Sequence, residues 1–352
     1  MTVSYLDEIM QQPAMLAALA KGLPKDTEQE LAQARLDLQS GAFDRVLLTG
    51  MGGSLHGAYP LYLQLVRSLG VPVILMDTSE LVQQTPEAIS ERCLMIAISQ
   101  SGESGEIVEM TRIAPRRPST VISATNLAGN TLANWADIRL LSNAGPELTV
   151  SSKSYTGGLA CLHLLGAALV GALPQAKKEL ARAATACTEL LANWEPRVSA
   201  LTSFLDPKAP LVFAGRGNSF ASAQIAALLT QEAAKLPCCA LSGGQFRHGP
   251  IELVRPGFTM VTFLGDRKTR DIDMAIIEKV LGCGGRVVAV TPAASDLPEA
   301  EGLRVLSYPD VPTPLNPIME AVLVQVLQIP LAAARGFKAG EFLNATKVTG
   351  IV

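Results

Sequence analysis

The hydrophobic pattern changes rhythm about forty residues into the chain. Before that point Ile9, Met15, Leu16, Leu19 and Leu23 form a rough helical stripe, interrupted by Pro13 and Pro24. After it come short apolar runs that stop at Gly- or Ser-rich turns and alternate with helical stretches. Arg45–Thr49 stops at Gly50-Met51-Gly52-Gly53-Ser54, Val73–Met76 at Asp77, Leu94–Ile98 at Ser99, Thr120–Thr125 at Asn126 and Ile138–Leu141 at Ser142. Continuous rather than alternating runs of this length read as strands buried on both faces, so the five predict a parallel sheet covered by helices. After a helical connection over roughly 157–205 the rhythm returns in Leu211–Ala214, Cys238–Leu241, Met260–Leu264, Val287–Val290 and Val305–Tyr308. A long helix over about Pro317–Arg335 follows. The repetition predicts an α/β protein of two tandem doubly wound (flavodoxin-like) parallel five-stranded sheets flanked by helices. The expected divisions are an N-terminal helical segment at 1–40, a first domain at 41–170, a helical connection at 171–205, a second domain at 206–335 and a tail at 336–352.

Composition narrows the class. The 352 residues are 48% hydrophobic and 17% charged, enough to bury two cores. A formal charge of −3 with no long basic run argues against nucleic-acid or membrane-surface partners. The stretch that reads as most apolar, Leu159–Leu173, contains His163 and is shorter than the roughly 18–20 residues of a membrane helix, so it is expected to be a buried helix. Met1–Glu8 lacks the basic and apolar regions of a signal peptide, and a cytoplasmic location is expected. The six cysteines (Cys93, Cys161, Cys187, Cys238, Cys239, Cys283) form no C-x-x-C pair and are expected to be reduced, buried thiols. With three histidines and no His/Cys cluster, neither a metal site nor a cofactor is expected.

Ligands of open parallel sheets lie beyond the carboxyl ends of the strands, which directs attention to the turns. Ser99-Gln100-Ser101-Gly102-Glu103-Ser104 follows a buried strand and precedes a helix expected to start near Glu103, so it offers hydroxyls and free N–H groups suited to a phosphate dianion. Ser54, behind Gly50, Gly52 and Gly53, faces the same crevice from the neighbouring turn. The same features also suit ordinary turn and capping chemistry.

The turn resembles the S-x-S-G-E-[ST] signature of the SIS (sugar isomerase) domain family. Further segments resemble one branch of it, the isomerase half of glucosamine-6-phosphate synthase and its relatives: Asn143–Glu147 with Ser151–Thr156, Gly215-Arg216-Gly217, Gln231-Glu232, Arg247-His248-Gly249-Pro250 and Thr346–Thr349. The resemblance implies phosphate and sugar contacts from Gly52, Gly53, Ser54, Ser99, Gln100, Ser101, Ser104, Ser151 and Ser152. It implies Glu232 as the base for aldose–ketose proton transfer, His248, sixteen residues later, for ring opening, and Lys347 as the amine at the carbonyl carbon. It also implies a homodimer whose histidine turn serves the partner's site. Glu147 is expected to be structural or to orient substrate; His56 and His163 are expected to be structural. The second lobe carries Gly265-Asp266-Arg267-Lys268 where the first has its serines, and is expected to support rather than read phosphate.

Three departures shape the functional expectation: the first lobe is expected to work without a glutaminase segment, Leu229 stands where the synthase has a lysine, and the Glu147–Ser151 loop is one residue shorter. The leading expectation is isomerisation coupled to amine release from an amino-sugar phosphate. A fructosyl-amino-acid-6-phosphate deglycase and a non-catalytic sugar-phosphate sensor are the alternatives.

Overall fold

The computed structural model describes residues 3–113, 117–292, 297–347 and 350. Its two compact units comprise Ala14–Leu148, Lys153–Ala181 and Asn344–Val352 in one, and Met1–Pro13, Thr149–Ser152 and Arg182–Leu343 in the other.

In the first unit, α2 (Gln12–Leu19) and α3 (Lys25–Ser40) precede β1 (Arg45–Gly50), α4 (Gly52–Ser68), β2 (Val73–Asp77), α5 (Thr78–Gln83), β3 (Cys93–Ile98), α6 (Gly105–Ile113), β4 (Thr120–Thr125), α7 (Thr131–Trp135), β5 (Ile138–Leu141) and α8 (Lys153–Leu169). Pro24 sits just before α3, and Gly41 ends it in the left-handed conformation that releases a helix C-terminus. The strands pair in parallel in the order β2-β1-β3-β4-β5. Leu47, Met95 and Val121 bury one sheet face under α5, α6 and α7, while α4 packs with α8.

The second unit repeats this plan with β6 (Leu211–Gly215), α11 (Ser219–Ala233), β7 (Cys238–Ser242), α12 (Gly243–Arg247), β8 (Thr259–Phe263), α13 (Arg270–Gly282), β9 (Arg286–Thr291), β10 (Leu303–Ser307) and α14 (Asn316–Ala334). Its sheet runs β7-β6-β8-β9-β10, again all parallel. α1 (Tyr5–Ile9), capped reciprocally by Ser4 and Asp7, packs on α14, as does α10 (Trp194–Thr202). α9 (Leu173–Ala192) links the repeats along the chain. The expected doubly wound duplication is therefore present.

The repeat has a nearly constant offset of 165 residues, the separation of Val73 from Cys238 at the starts of β2 and β7. The same offset carries Gly50 onto Gly215, Ile98 onto Phe263, the first residue of α6 onto that of α13 and the last residue of α8 onto that of α14.

Two expectations need correction. Cys239 and Cys283 are exposed and Cys238 is half-buried, because β7 is an edge strand and Cys283 lies just past α13; only Cys93, Cys161 and Cys187 are in the core. And although 159–173 is too short to span a membrane, the helix over Thr313–Ala334 is long and apolar enough to cross one by length and composition. Its apolarity has another source here: α14 is buried against α10 and α11, and helices hydrophobic on all sides belong in cores.

Candidate functional site

The order β2-β1-β3-β4-β5 reverses direction between β1 and β3, so the crossovers leave β1 and β3 toward opposite faces and open a crevice at their carboxyl ends. Gly50 and Ile98 end these strands side by side, and the serine turn begins at the next residue. Ser99 extends the β3–β4 pairing through its N–H to the Ala124 carbonyl at 3.0 Å. Gly102 then turns with φ 67°, a conformation costly for other residues, and a side chain there would meet Asn130 Oδ1 at 1.9 Å.

Within this turn the polar atoms divide into two groups. Ser99 Oγ accepts from Gly102 N–H at 3.1 Å, and Ser101 Oγ from Glu103 N–H at 3.2 Å. Glu103 faces away from the crevice: its carboxylate accepts from Thr131 N–H at 2.6 Å and Thr131 Oγ1 at 2.9 Å, capping α7. The acid in the turn is thus engaged by a helix start. Ser104, whose carbonyl starts α6 at Val108, keeps its Oγ buried with no hydrogen-bond partner among the described residues. The helix itself begins at Gly105, two residues later than expected. Ser54 lies in the first turn of α4, with Gly52 and Gly53 before it.

Beside the serine turn lies an ion pair that no single segment announces. Asn126, at the end of β4, donates to the Gly145 carbonyl at 2.8 Å and accepts from Ala144 N–H at 2.9 Å and Ser142 Oγ at 3.0 Å, fixing the segment that carries Glu147. Glu147 Oε2 then accepts from Gln100 Nε2 at 3.0 Å and from Ser154 Oγ at 2.5 Å, and Oε1 from Ser154 N–H at 3.0 Å. Lys347 Nζ, two hundred positions away in sequence, approaches Oε2 at 2.5 Å. The Glu147 side chain is fully buried. Burial pushes its pKa up, but the Lys347 ammonium and the Ser154 hydrogen bonds outweigh it and hold the carboxyl below its ordinary value. Glu147 is thus a charged anchor that ties Gln100 to Lys347. Val348 and Thr349, which share the resemblance at the tail, lie outside the described residues.

Glu232 and His248 belong to the second unit. Glu232 is half-buried near the end of α11, where Gln231 donates to the Cys238 carbonyl at 2.9 Å as β7 begins. His248 is exposed and closes α12, which starts where β7 stops. α11 packs with α14; α12 packs with α13, and Phe246 joins the core on that side with Val212 and Met260. Right-handed crossovers in this strand order place α11 and α12 on opposite faces of the sheet. One sheet therefore separates Glu232 from His248 within a chain. Leu229 is buried in the same helix, whereas Lys235, three residues past Glu232, sits at φ 55° and donates to the carbonyls of Glu232 and, at 2.6 Å, Glu341. Burial lowers the Lys235 pKa against the opposing charges of Glu232 and Glu341.

Ser152 is fully buried, its carbonyl accepting from Gln325 Nε2 at 3.1 Å, and Ser151 is half-buried. His56 is driven down to about 4 by burial despite the nearby Asp77 charge, and His163 pairs with Glu179 at 3.4 Å. Among the described residues no group of three His, Cys, Asp or Glu could hold a metal.

Two flavodoxin-like repeats, the first with a serine-lined turn at its switch point, define the class: a tandem doubly wound α/β protein. The chain belongs to the SIS domain family, whose model matches residues 43–170 and 204–335. It is similar to glutamine–fructose-6-phosphate aminotransferase (isomerizing) of Pyrococcus horikoshii, 28% identical over 346 residues covering 97% of this chain and 56% of the relative. It thus spans little more than half the length of that protein. Among solved structures, the C-terminal domain of glucosamine-fructose-6-phosphate aminotransferase from Francisella tularensis shares the fold at TM-score 0.80 and 19% identity, covering 97% of this chain and 98% of that one. Glucosamine-6-phosphate deaminase from Thermotoga maritima does so at TM-score 0.76 and 19% identity, covering 99% of each.

Proposed function

We propose that the chain is a phosphosugar enzyme that isomerises an amino-sugar phosphate and releases its amine. The observation that carries this reading is the Ser99–Ser104 turn, whose Ser104 hydroxyl is buried at the first switch point without a partner among the described residues. In the proposed complex Ser54, Ser99, Gln100, Ser101 and Ser104 hold the phosphate. Gly52 and Gly53 give the backbone close approach, and Ser151 and Ser152 contribute on the sugar side. Glu232 takes the proton from C2 and returns it to C1, converting a 2-amino aldose into a ketimine; water adds at C2 and ammonia leaves. His248 assists ring opening. Lys347 rests as an ammonium on Glu147 and acts as a hydrogen-bond donor to the sugar oxygen.

Because one sheet separates Glu232 from His248, a centre that uses both draws them from two copies of the chain, which supports a homodimeric enzyme. The test is a panel of phosphorylated amino sugars and fructosyl-amine 6-phosphates, with ammonia and hexose phosphate both quantified. Glu232→Gln should lower turnover at least about a hundredfold while phosphosugar binding persists. Equal turnover in the variant would remove the mechanism. Thermal stabilisation of the wild type by phosphosugars without any product would instead identify a sensor.

A further inference from the structure

The anion cradle of the first lobe has a counterpart in the second. At the 165-residue offset Ser54 becomes Ser219, and Gly52 with φ 48° becomes Gly217 with φ 53°. The six residues Ser99–Ser104 between strand and helix become the six residues Leu264–Thr269. The two copies differ in what the chain places inside. In the first, Tyr155 lies against Gly57, which a side chain would bring to 3.4 Å from the Tyr155 ring. At the same positions the second has Glu320 and Ser222. Glu320 is fully buried, and its donors come from every part of the crevice: Ser219 Oγ at 2.9 Å and Tyr308 Oη at 3.0 Å on Oε1, Ser222 Oγ at 2.5 Å on Oε2, and the Gly265 N–H. The counterpart of Ser104 is Thr269, whose hydroxyl goes to Asp273 Oδ2 at 2.8 Å; Asp273 Oδ1 takes Arg216 Nε at 2.7 Å. Asp273 itself stands where the first lobe has Val108.

We propose that the second switch point is a carboxyl-binding site whose ligand is built into the chain, the Glu320 carboxyl group occupying the place of an external one. Burying a carboxylate is costly unless donors converge on it, and here the strand-end turns after β6, β8 and β10 supply them, as a cradle for an external anion would. The hydroxyl of Ser104 waits for a partner; those of Ser219, Ser222 and Thr269 already have one. Two consequences follow. The second lobe takes no phosphate, and removal of the Glu320 side chain leaves a site for a small free carboxylate such as formate or acetate.

The test is thermal unfolding of full-length Glu320→Ala in sodium formate or acetate against sodium chloride of equal ionic strength. With an affinity in the tens of millimolar, about 0.5 M formate should raise its Tm by about 3–6 °C more than chloride does. Wild type and Glu320→Leu, in which the space is filled, should show no such difference. A variant that refolds in formate but not in chloride gives the same support. Absence of formate-specific recovery in Glu320→Ala, with Glu320→Leu folded, overturns the proposal. So does a second phosphate per wild-type chain by equilibrium dialysis that survives Ser99→Ala. The comparison rests on the first lobe being the phosphate cradle, but formate recovery is read without any phosphosugar. Recovery with no phosphate bound to the wild type would therefore uphold this inference and sink the functional reading alone.

Discussion

Replacing Lys347 with methionine removes the ammonium that holds Glu147 charged in the interior of the first lobe. Of the influences on that carboxyl, burial is the largest and raises its pKa; Lys347 is foremost among those that lower it. With the ammonium gone, the hydrogen bonds from Ser154 and Gln100 remain, and the pKa should move from below its ordinary value to above it. Breaking one half of a buried pair costs about 3–5 kcal/mol, and because Lys347 keeps 23% of its side-chain surface exposed, the loss at neutral pH should be nearer about 2–3 kcal/mol. That corresponds to a fall in Tm of about 5–10 °C for a unit of this size. The pH dependence should reverse in sign. In the wild type the lowered pKa contributes stability above the unfolded value near 4.5, lost as pH falls through the folded value. In the variant the raised pKa contributes stability at low pH that is lost as pH rises past 4.5. Urea unfolding at about pH 4 and pH 7 should therefore show the two proteins diverging as pH rises. The double variant Lys347→Met/Glu147→Gln, which removes both charges of the pair, should recover most of the loss. A coupling energy below about 0.5 kcal/mol, or a stability gap equal at both pH values, would refute the ion pair as an anchor of the tail.

Ser104→Ala should weaken phosphosugar binding about tenfold or more, measured by calorimetry, yet leave the Tm nearly unchanged, since its Oγ has no partner among the described residues to lose. Glu103→Ala should do the reverse, costing about 1 kcal/mol of stability through the lost α7 cap with a smaller change in affinity. Burial raises Glu320 to about 7 from 4.5, so its contribution is present below about pH 4.5 and lost as pH rises toward 7; Glu320→Gln should flatten that part of the stability profile, worth about 3 kcal/mol, in urea titrations. Mixing Glu232→Gln with His248→Ala, each inactive alone, should restore about a quarter of wild-type turnover, because half of a random mixture of dimers is heterodimeric and each heterodimer holds one intact site of two. No recovery would place both residues in a single chain's site.

The ten strands were legible because strands buried on both faces of a parallel sheet need no alternation, and each stops at a Gly or polar turn. The serine turn was legible for the same reason. The partners of its neighbours were not. Glu147 and Lys347 meet across two hundred residues, and no local pattern encodes so distant a contact. Glu103 reads as part of the phosphate turn, whereas in space it serves α7, twenty-eight residues on. The sixteen-residue spacing of Glu232 and His248 suggests a shared pocket, yet the strand order with right-handed crossovers already sends α11 and α12 to opposite faces. That consequence follows from sequence-level topology once the order of strands is in hand.

The two lobes argue the point together. Along one nearly constant offset, strands, turn lengths and a left-handed glycine coincide, so the backbone of the switch point is common to both. Backbone alone cannot therefore decide which lobe reads an anion. The decision falls to a few side chains that fold prediction treats as interchangeable: Tyr155 against Glu320, Gly57 against Ser222 and Val108 against Asp273. In the second lobe each change adds a carboxylate or a donor that satisfies one, and the crevice closes on itself. In the first they keep carboxylates out, and the one acid in the turn is spent on a helix cap. An anion from outside then meets hydroxyls and N–H groups, and the buried carboxylate beside them, Glu147, is already paired with the Lys347 ammonium. That is the electrostatic condition a phosphate requires where the turn itself supplies no lysine or arginine.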